Sequence, residues 1–160
     1  MNRFEQFSLL IFEISKQWHK ITTEEMKSFG LRGPHSLYLL TLLNAPEGIS
    51  APRLCEVCDK NKADVSRTMA TLQEKELVVK VGDNQKQYGG LYVLTKQGVS
   101  LAQQIRDRTN LAVELAGRDL DDPSREILYN ALKSIADNLK EVSATSLTEV
   151  AQKGKKKNEN

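Results

Sequence analysis

Two long runs of helical apolar periodicity, one near each end of the chain, constrain its fold most. Near the N-terminus the apolar residues step by three and four positions: Phe4, Phe7, Ile11, Ile14, Trp18 and Ile21. Near the C-terminus the same spacing recurs in Leu128, Ala131, Leu132, Ile135, Leu139 and Val142. Each run predicts an amphipathic helix with a narrow apolar seam. A single seam commonly packs within its own subunit, but two seams around a small central module favour pairing of two copies.

The composition fits one ordinary folded unit of 160 residues. The formal net charge of +2 is too small to indicate nucleic-acid binding by itself. The start of the chain lacks the basic cluster and the cleavage site of a signal peptide, and no apolar run approaches the ~20 residues of a membrane-spanning helix. We therefore expect a cytoplasmic protein without a membrane partner.

Between the two seams the sequence predicts three shorter helices. Gly30 and Pro34 interrupt the first long helix, and "HSLYLLTLLNA" then forms an apolar second helix. Ser50 is placed to cap a third helix, "APRLCEVC". A four-residue turn, 59–62, leads into a fourth helix that Asn61 can cap.

Two β-prone runs, "LVVKV" and "LYVLT", flank "GDNQKQYGG", a segment rich in turn formers, and together they predict a hairpin. A long helix is predicted for residues 96–118, followed by a last helix that Asp122 caps. The order helix, turn, helix, hairpin is that of a helix-turn-helix with a β wing. The predicted fold class is therefore mainly α with a small β-hairpin wing (α+β), a winged helix-turn-helix between long terminal helices.

Positive charge is concentrated in this central module. Residues 60–96 contain seven cations and four acids, whereas residues 120–150 contain three cations and six acids. An α-helix fits the major groove of duplex DNA, and nearby cations neutralise its phosphates. The charge distribution therefore indicates double-stranded DNA as a partner.

The fourth helix has one apolar face, which must turn towards the core of the module: Val65, Met69 and Leu72. Arg67 lies nearly opposite that face and can fork onto guanine O6 and N7. Lys60 and Lys62, at the turn and the first helical position, are better placed for phosphate. Ser66 can donate to either.

Asp64 is awkward beside phosphates, and three roles for it remain open. It can accept from cytosine N4, orient Arg67 or a neighbouring lysine, or help to cap the helix. The full set of predicted DNA-contacting residues is Ser50, Lys60, Asn61, Lys62, Asp64, Ser66, Arg67, Gln85, Lys86 and Gln87.

The run "LCEVCDKNKADVSRTMATLQEKELVVKV", with "LYVLTKQG" after the wing, resembles the winged helix-turn-helix of the multiple-antibiotic-resistance regulator (MarR) family. That family usually reads leucine-rich helix, Ser or Asn cap, "VSR", "LEKKGLV" and finally "LT-x-x-G". Leu94, Thr95 and Gly98 match the last motif, whereas Glu76 replaces the glycine of the preceding one. The wing also departs, because Lys86 is the only cation at its tip where the family commonly has an aspartate and arginine pair. We expect this wing to contact phosphate.

The resemblance covers nearly the whole chain and implies one MarR-like unit, 1–160. It implies a winged helix-turn-helix at 34–98 and dimerisation helices at 2–30 and 99–150. The terminal basic segment, 152–160, is predicted to be disordered.

The function implied by the resemblance is that of a homodimeric repressor that binds a palindromic operator and is released by a small-molecule effector. In the family, small aromatic anions occupy a crevice between the dimerisation helices and the winged module. The residues that we assign to this crevice are Trp18, His19, His35 and Tyr38. Core packing explains the same four residues equally well.

Two other interpretations remain open. Cys55 and Cys58 have the CxxC spacing of redox and zinc sites, so a thiol-based redox-sensing regulator is one alternative, although buried thiols are favoured because a second pair is missing. A winged-helix protein-interaction module without DNA binding is the other. The sequence contains no GxSxG, phosphate-binding glycine loop or HExxH, and we predict no enzyme activity, metal or cofactor.

Overall fold

The computed structural model describes residues 2–82 and 90–144. Within them it contains six helices and one antiparallel strand pair, which confirms the predicted fold class. The elements are α1 (Arg3–Lys27), α2 (His35–Leu43), α3 (Ala51–Cys58), α4 (Lys62–Glu74), β1 (Val78–Val81), β2 (Leu91–Leu94), α5 (Lys96–Ala116) and α6 (Asp122–Ala144). The tip of the wing, the last residues of the predicted C-terminal dimerisation segment and the basic tail lie outside the described residues.

Polar side chains set the starts of α3 and α4. Ser50 Oγ accepts from the backbone N–H of Arg53 at 3.4 Å. Asn61 Oδ1 accepts from the backbone N–H of Asp64 at 2.9 Å. Both predicted N-caps are thereby confirmed. Because Asn61 is the cap, Lys62 is already helical, and the turn between the helices is one residue shorter than predicted.

One apolar core holds α4 against the rest of the module. The predicted inward residues of α4, namely Val65, Met69 and Leu72, are all buried. They belong to a cluster to which other parts of the chain contribute Leu39, Leu42, Leu54, Leu77, Val78 and Ile105, among others. Burial of a side chain of this size stabilises the fold by about 1.5–3 kcal/mol. The core therefore fixes which face of α4 points outwards.

The two strands of the hairpin are antiparallel, and the chain at Ile49 pairs with β2 at one edge. Val78 lies opposite Leu94 in the register of β1 and β2. Ile49 exchanges backbone hydrogen bonds of 2.9 and 3.0 Å with Tyr92. The chain before α3 is thus attached to the wing by main-chain bonds.

The hairpin is also joined closely to α5. Thr95 Oγ1 donates to the Glu76 carbonyl at 2.7 Å and accepts from the Gly98 N–H at 2.9 Å. A Cβ on Gly98 would collide with the carbonyl oxygen of Leu77, so this approach requires glycine. The "LT-x-x-G" motif therefore has a structural cause, because its threonine caps α5 and its glycine allows contact with the hairpin.

Contacts divide the chain into two units, with the boundary between Ala112 and Val113. The first unit contains α1 to α4, the hairpin and most of α5. In the second unit, Arg125 donates to Glu114 Oε2 at 2.8 Å and to the Gly117 carbonyl at 2.9 Å. This cation thus satisfies a carbonyl at the end of α5.

The start of α6 differs from the prediction by one residue. Asp121, and not Asp122, is the cap, since its Oδ1 accepts from the Ser124 N–H at 3.0 Å. Asp122 is the first helical residue. None of the residues of α6 is buried.

Glu76 has a φ of 57°, in the left-handed region that favours glycine. We expect Glu76→Gly to raise the free energy of unfolding by about 1 kcal/mol, because the relief of strain exceeds the added freedom of the unfolded chain. Urea unfolding measures the change. Glu74→Gly is the matched control, and it should lower the free energy by about 1 kcal/mol because Glu74 is helical. A lower free energy of unfolding for Glu76→Gly would show that the backbone at Glu76 is not strained.

His35 is buried, with 2% of its surface exposed. Its Nδ1 accepts from the Arg32 N–H at 3.4 Å, and its Nε2 has no partner among the described residues. Burial, together with the charges of Arg32 and Lys75, lowers the pKa of His35. The folded protein therefore disfavours imidazolium, whereas the unfolded chain takes up the proton near pH 6.5.

This difference predicts acid sensitivity. The contribution of neutral His35 is complete above about pH 6.5 and is lost progressively as the pH falls below that value. We expect wild type to lose about 1 kcal/mol more stability than His35→Asn between pH 7 and 5, measured by urea unfolding. The asparagine Oδ1 can still accept from Arg32. Equal losses in the two proteins would rule out this linkage.

Candidate nucleic-acid interface

The outward face of α4 carries the polar residues predicted to meet DNA. Ser66 is exposed, and 71% of the Arg67 side chain is exposed. With 3.6 residues per turn, this face follows from the burial of the opposite one. The geometry therefore leaves the Arg67 guanidinium free to approach a groove.

Arg67 is held by an acid on its own helix. Its Nη2 donates to Asp64 Oδ1 in an i,i+3 ion pair. Asp64 Oδ2 accepts from Asn61 Nδ2 at 2.8 Å, and Asn61 Oδ1 caps α4. Of the roles open to Asp64, contact with Arg67 is thus present in the free protein.

A second ion pair lies on α3. Arg53 Nη1 donates to Glu56 Oε2 at 2.7 Å, and both side chains are largely exposed. The sequence prediction overlooked Arg53, although its position three residues after the Ser50 cap could have indicated an exposed cation beside the helix-turn-helix.

Lys60 and Lys62 are exposed, and neither forms an ion pair within the part of the chain that the structure describes. They flank the cap of α4, where the backbone N–H groups also attract anions. The unpaired positive charge therefore lies at the turn of the helix-turn-helix. Such charge suits phosphate oxygens.

The predicted wing contacts cannot be compared with the structure, because Gln85, Lys86 and Gln87 lie outside the described residues. At the base of the hairpin, Lys80 Nζ lies 5.8 Å from the centre of the Tyr92 ring. This exposed lysine was not among the predicted contacts, since only the loop was considered. It adds a cation to the wing.

The four residues assigned to an effector crevice lie in two environments. Trp18 and His19 are exposed on α1, whereas His35 and Tyr38 are buried in the core. Burial raises the pKa of Tyr38, and a hydrogen bond with Thr68 partly offsets this effect. A hollow of about 420 Å³ on α1 includes His19 but none of the other three.

Another hollow, of about 520 Å³, lies between the ends of α1 and α4 and the start of α5. Its lining residues are Phe29, Lys75, Leu77, Gln97, Ser100, Leu101 and Gln104. They provide one cation, three neutral polar side chains and three apolar ones, without an acid. None of these residues was predicted, because they come from segments far apart in the sequence.

The two cysteines of the CxxC pair differ in burial. Cys58 is buried, with its Sγ 3.9 Å from Thr41 Oγ1, and Cys55 is half-buried. Burial raises the pKa of the Cys58 thiol, which reduces the reactive thiolate fraction. The described residues contain no cluster of three or more side chains suited to hold a metal ion.

Among the described residues, no helix combines the length and apolarity needed to cross a bilayer. No protein-family model matches the chain, and no curated protein matches it.

Solved structures do match it. The MepR–DNA complex of Staphylococcus aureus has a TM-score of 0.74 and 16% identity, covering 82% of this chain and 97% of that one. A MarR transcriptional regulator from Methanosarcina mazei Go1 has a TM-score of 0.75 and 17% identity, with coverage of 86% and 99%. A MarR protein from Peptoclostridium difficile has a TM-score of 0.75 and 17% identity, with coverage of 83% and 86%. This chain therefore has the winged helix-turn-helix fold of MarR-family transcriptional regulators.

Proposed function

We propose that this protein is a MarR-like transcriptional regulator, a cytoplasmic homodimeric repressor that binds double-stranded DNA sequence-specifically. One observation carries the proposal: the inner face of α4 is fixed in the core while Ser66 and Arg67 remain exposed. The likeness to a protein solved with DNA, MepR, supports it.

In the proposed complex α4 enters the major groove. Arg67 forks onto a guanine, because its remaining N–H groups are free to donate to O6 and N7. Lys60 and Lys62 neutralise phosphates at the groove edge. Lys80 and the wing contact the neighbouring backbone.

The exposed apolar surface of the terminal helices supports a two-fold dimer. Along α1 the exposed residues are Phe4, Phe7, Leu9, Leu10, Ile11, Phe12, Ile14, Trp18 and Ile21. Along α6 they are Ile127, Leu128, Tyr129, Leu132, Ile135 and Leu139. Soluble monomers rarely leave so many large apolar side chains of a helix in water, so a second copy is the natural cover for each helix. Two copies would present their two α4 helices to DNA half-sites whose centres are about 34–36 Å apart.

Selection of bound sequences from random duplex DNA tests the proposal. A palindrome with half-sites about 10 base pairs apart would support both the DNA binding and the symmetry. A protein-interaction module would instead enrich no sequence. Recovery of no duplex above background would refute the proposed function.

Base and phosphate contacts have different signatures on the selected sequence. We expect Arg67→Ala to lose about 1–3 kcal/mol of binding free energy for the preferred base at one position of the site, which relaxes the sequence preference there. Lys62→Ala should weaken binding to all sequences alike. It should also reduce the slope of log affinity against log salt concentration by the contribution of about one phosphate contact. Titrations by fluorescence anisotropy at several salt concentrations measure both. An equal loss for Arg67→Ala on every sequence would refute its base-reading role.

The proposal includes release of the protein from its operator by a small-molecule effector. The hollow lined by Lys75 is the candidate binding site for that effector. The Lys75 ammonium can hold a carboxylate while Phe29 and Leu101 contact an apolar body. A ligand there touches both the residue after α4 and the start of α5. It can shift DNA affinity only if it binds the free and DNA-bound states unequally.

We expect millimolar benzoate to weaken operator binding of wild type by at least about threefold and to leave Lys75→Ala unaffected, because the variant lacks the cation that holds the carboxylate. Lys20→Ala is the matched control, since Lys20 lines the hollow on α1 instead. Loss of the response in Lys20→Ala alone would assign the effector to α1. Anisotropy with labelled operator reports each case.

A further inference from the structure

Asp64, the acid paired with Arg67, lies on the face of α4 to which DNA binding is proposed, where positive charge would be expected. Its side chain is 41% exposed, so the carboxylate faces the same solvent that DNA would displace. Bringing a second negative charge close to it is unfavourable, and the DNA backbone carries one charge about every 1.7 Å along the duplex axis. Asp64, in the first turn of α4, therefore opposes close approach of phosphate to the Arg67 guanidinium.

The same carboxylate restricts the position of Arg67. Asp64 is itself held by Asn61, whose Nδ2 donates to Oδ2 at 2.8 Å. The ion pair uses Nη2 of Arg67 and leaves Nη1 and Nε without a partner among the described residues. A guanidinium held in this way loses less conformational freedom when it forks onto a base.

These two effects act in opposite directions on the two kinds of DNA contact. A phosphate could accept from the N–H groups of Arg67 that the ion pair leaves free, but the neighbouring Asp64 carboxylate repels its charge. The guanine edge is uncharged and can accept from N–H groups that the ion pair leaves free. Asp64 thus penalises sequence-independent binding more than base recognition.

We infer that Asp64 is a specificity-determining positioning residue: it holds Arg67 in position for a base edge and opposes its use as a phosphate contact. This inference rests on the proposed function. The Asn61, Asp64 and Arg67 side chains form the unit that carries it.

Asp64→Asn tests the inference, because it removes the charge and leaves the backbone N–H that Asn61 caps. Affinity is measured for the selected operator and for a random duplex over a range of salt. We expect binding to the random duplex to strengthen and the ratio of the two affinities to fall about tenfold. Glu56→Gln is the matched control, since it removes the same charge from the other i,i+3 arginine pair. It should change both affinities together and alter the ratio by less than about twofold.

Two further variants separate positioning from general charge. In an Arg67→Ala background, Asp64→Asn should no longer change the discrimination at the base that Arg67 reads. Asn61→Ser keeps a good N-cap but removes the amide that holds Asp64, so we expect a smaller fall in the same ratio. Urea unfolding of each variant shows whether a loss arises from folding; if Asp64→Asn does not fold, Asn61→Ser decides the question.

Three outcomes overturn the inference while the proposed function stands: an unchanged affinity ratio in a folded Asp64→Asn protein, a fall equal to that of Glu56→Gln, or an undiminished effect without Arg67. If wild type shows no preference for any duplex, the proposed function fails and this inference fails with it.

Discussion

The burial of one face of α4 is the constraint on which the candidate interface depends. Val65, Met69 and Leu72 are immersed in the core, and a rotation of α4 by one residue, about 100°, would bring them to the surface. The same rotation would bury Ser66 or Arg67. Hydrophobic packing therefore determines which polar residues of α4 point outwards, including those to which base recognition is proposed.

Local electrostatics then divide the cations of the helix-turn-helix into two groups. Arg53 and Arg67 are each paired with an acid one turn away, whereas Lys60 and Lys62 have no such partner among the described residues. Exposed pairs of this kind add little to stability, about 0–1 kcal/mol. Their effect lies in where each guanidinium points and in how much net charge this surface would offer to DNA in the proposed complex.

Much of this architecture could be predicted from sequence because the signals are local. The caps Ser50 and Asn61, the inward face of α4 and the hairpin each follow from patterns within a few residues. The burial of His35 and Tyr38 does not follow from such a local pattern. α2 is apolar on several sides, so its periodicity does not show which face turns inwards. The hollow that contains Lys75 depends on the tertiary meeting of three segments, which no short motif encodes.

The junction built from Thr95, Gly98 and the Leu77 carbonyl has a mechanical consequence. Leu77 lies three residues after the end of α4, and its carbonyl also accepts from the Thr95 N–H at 3.0 Å. These contacts couple the end of α4 to the first turn of α5. In the proposed complex, a tilt of α5 would therefore change the angle at which α4 meets the groove.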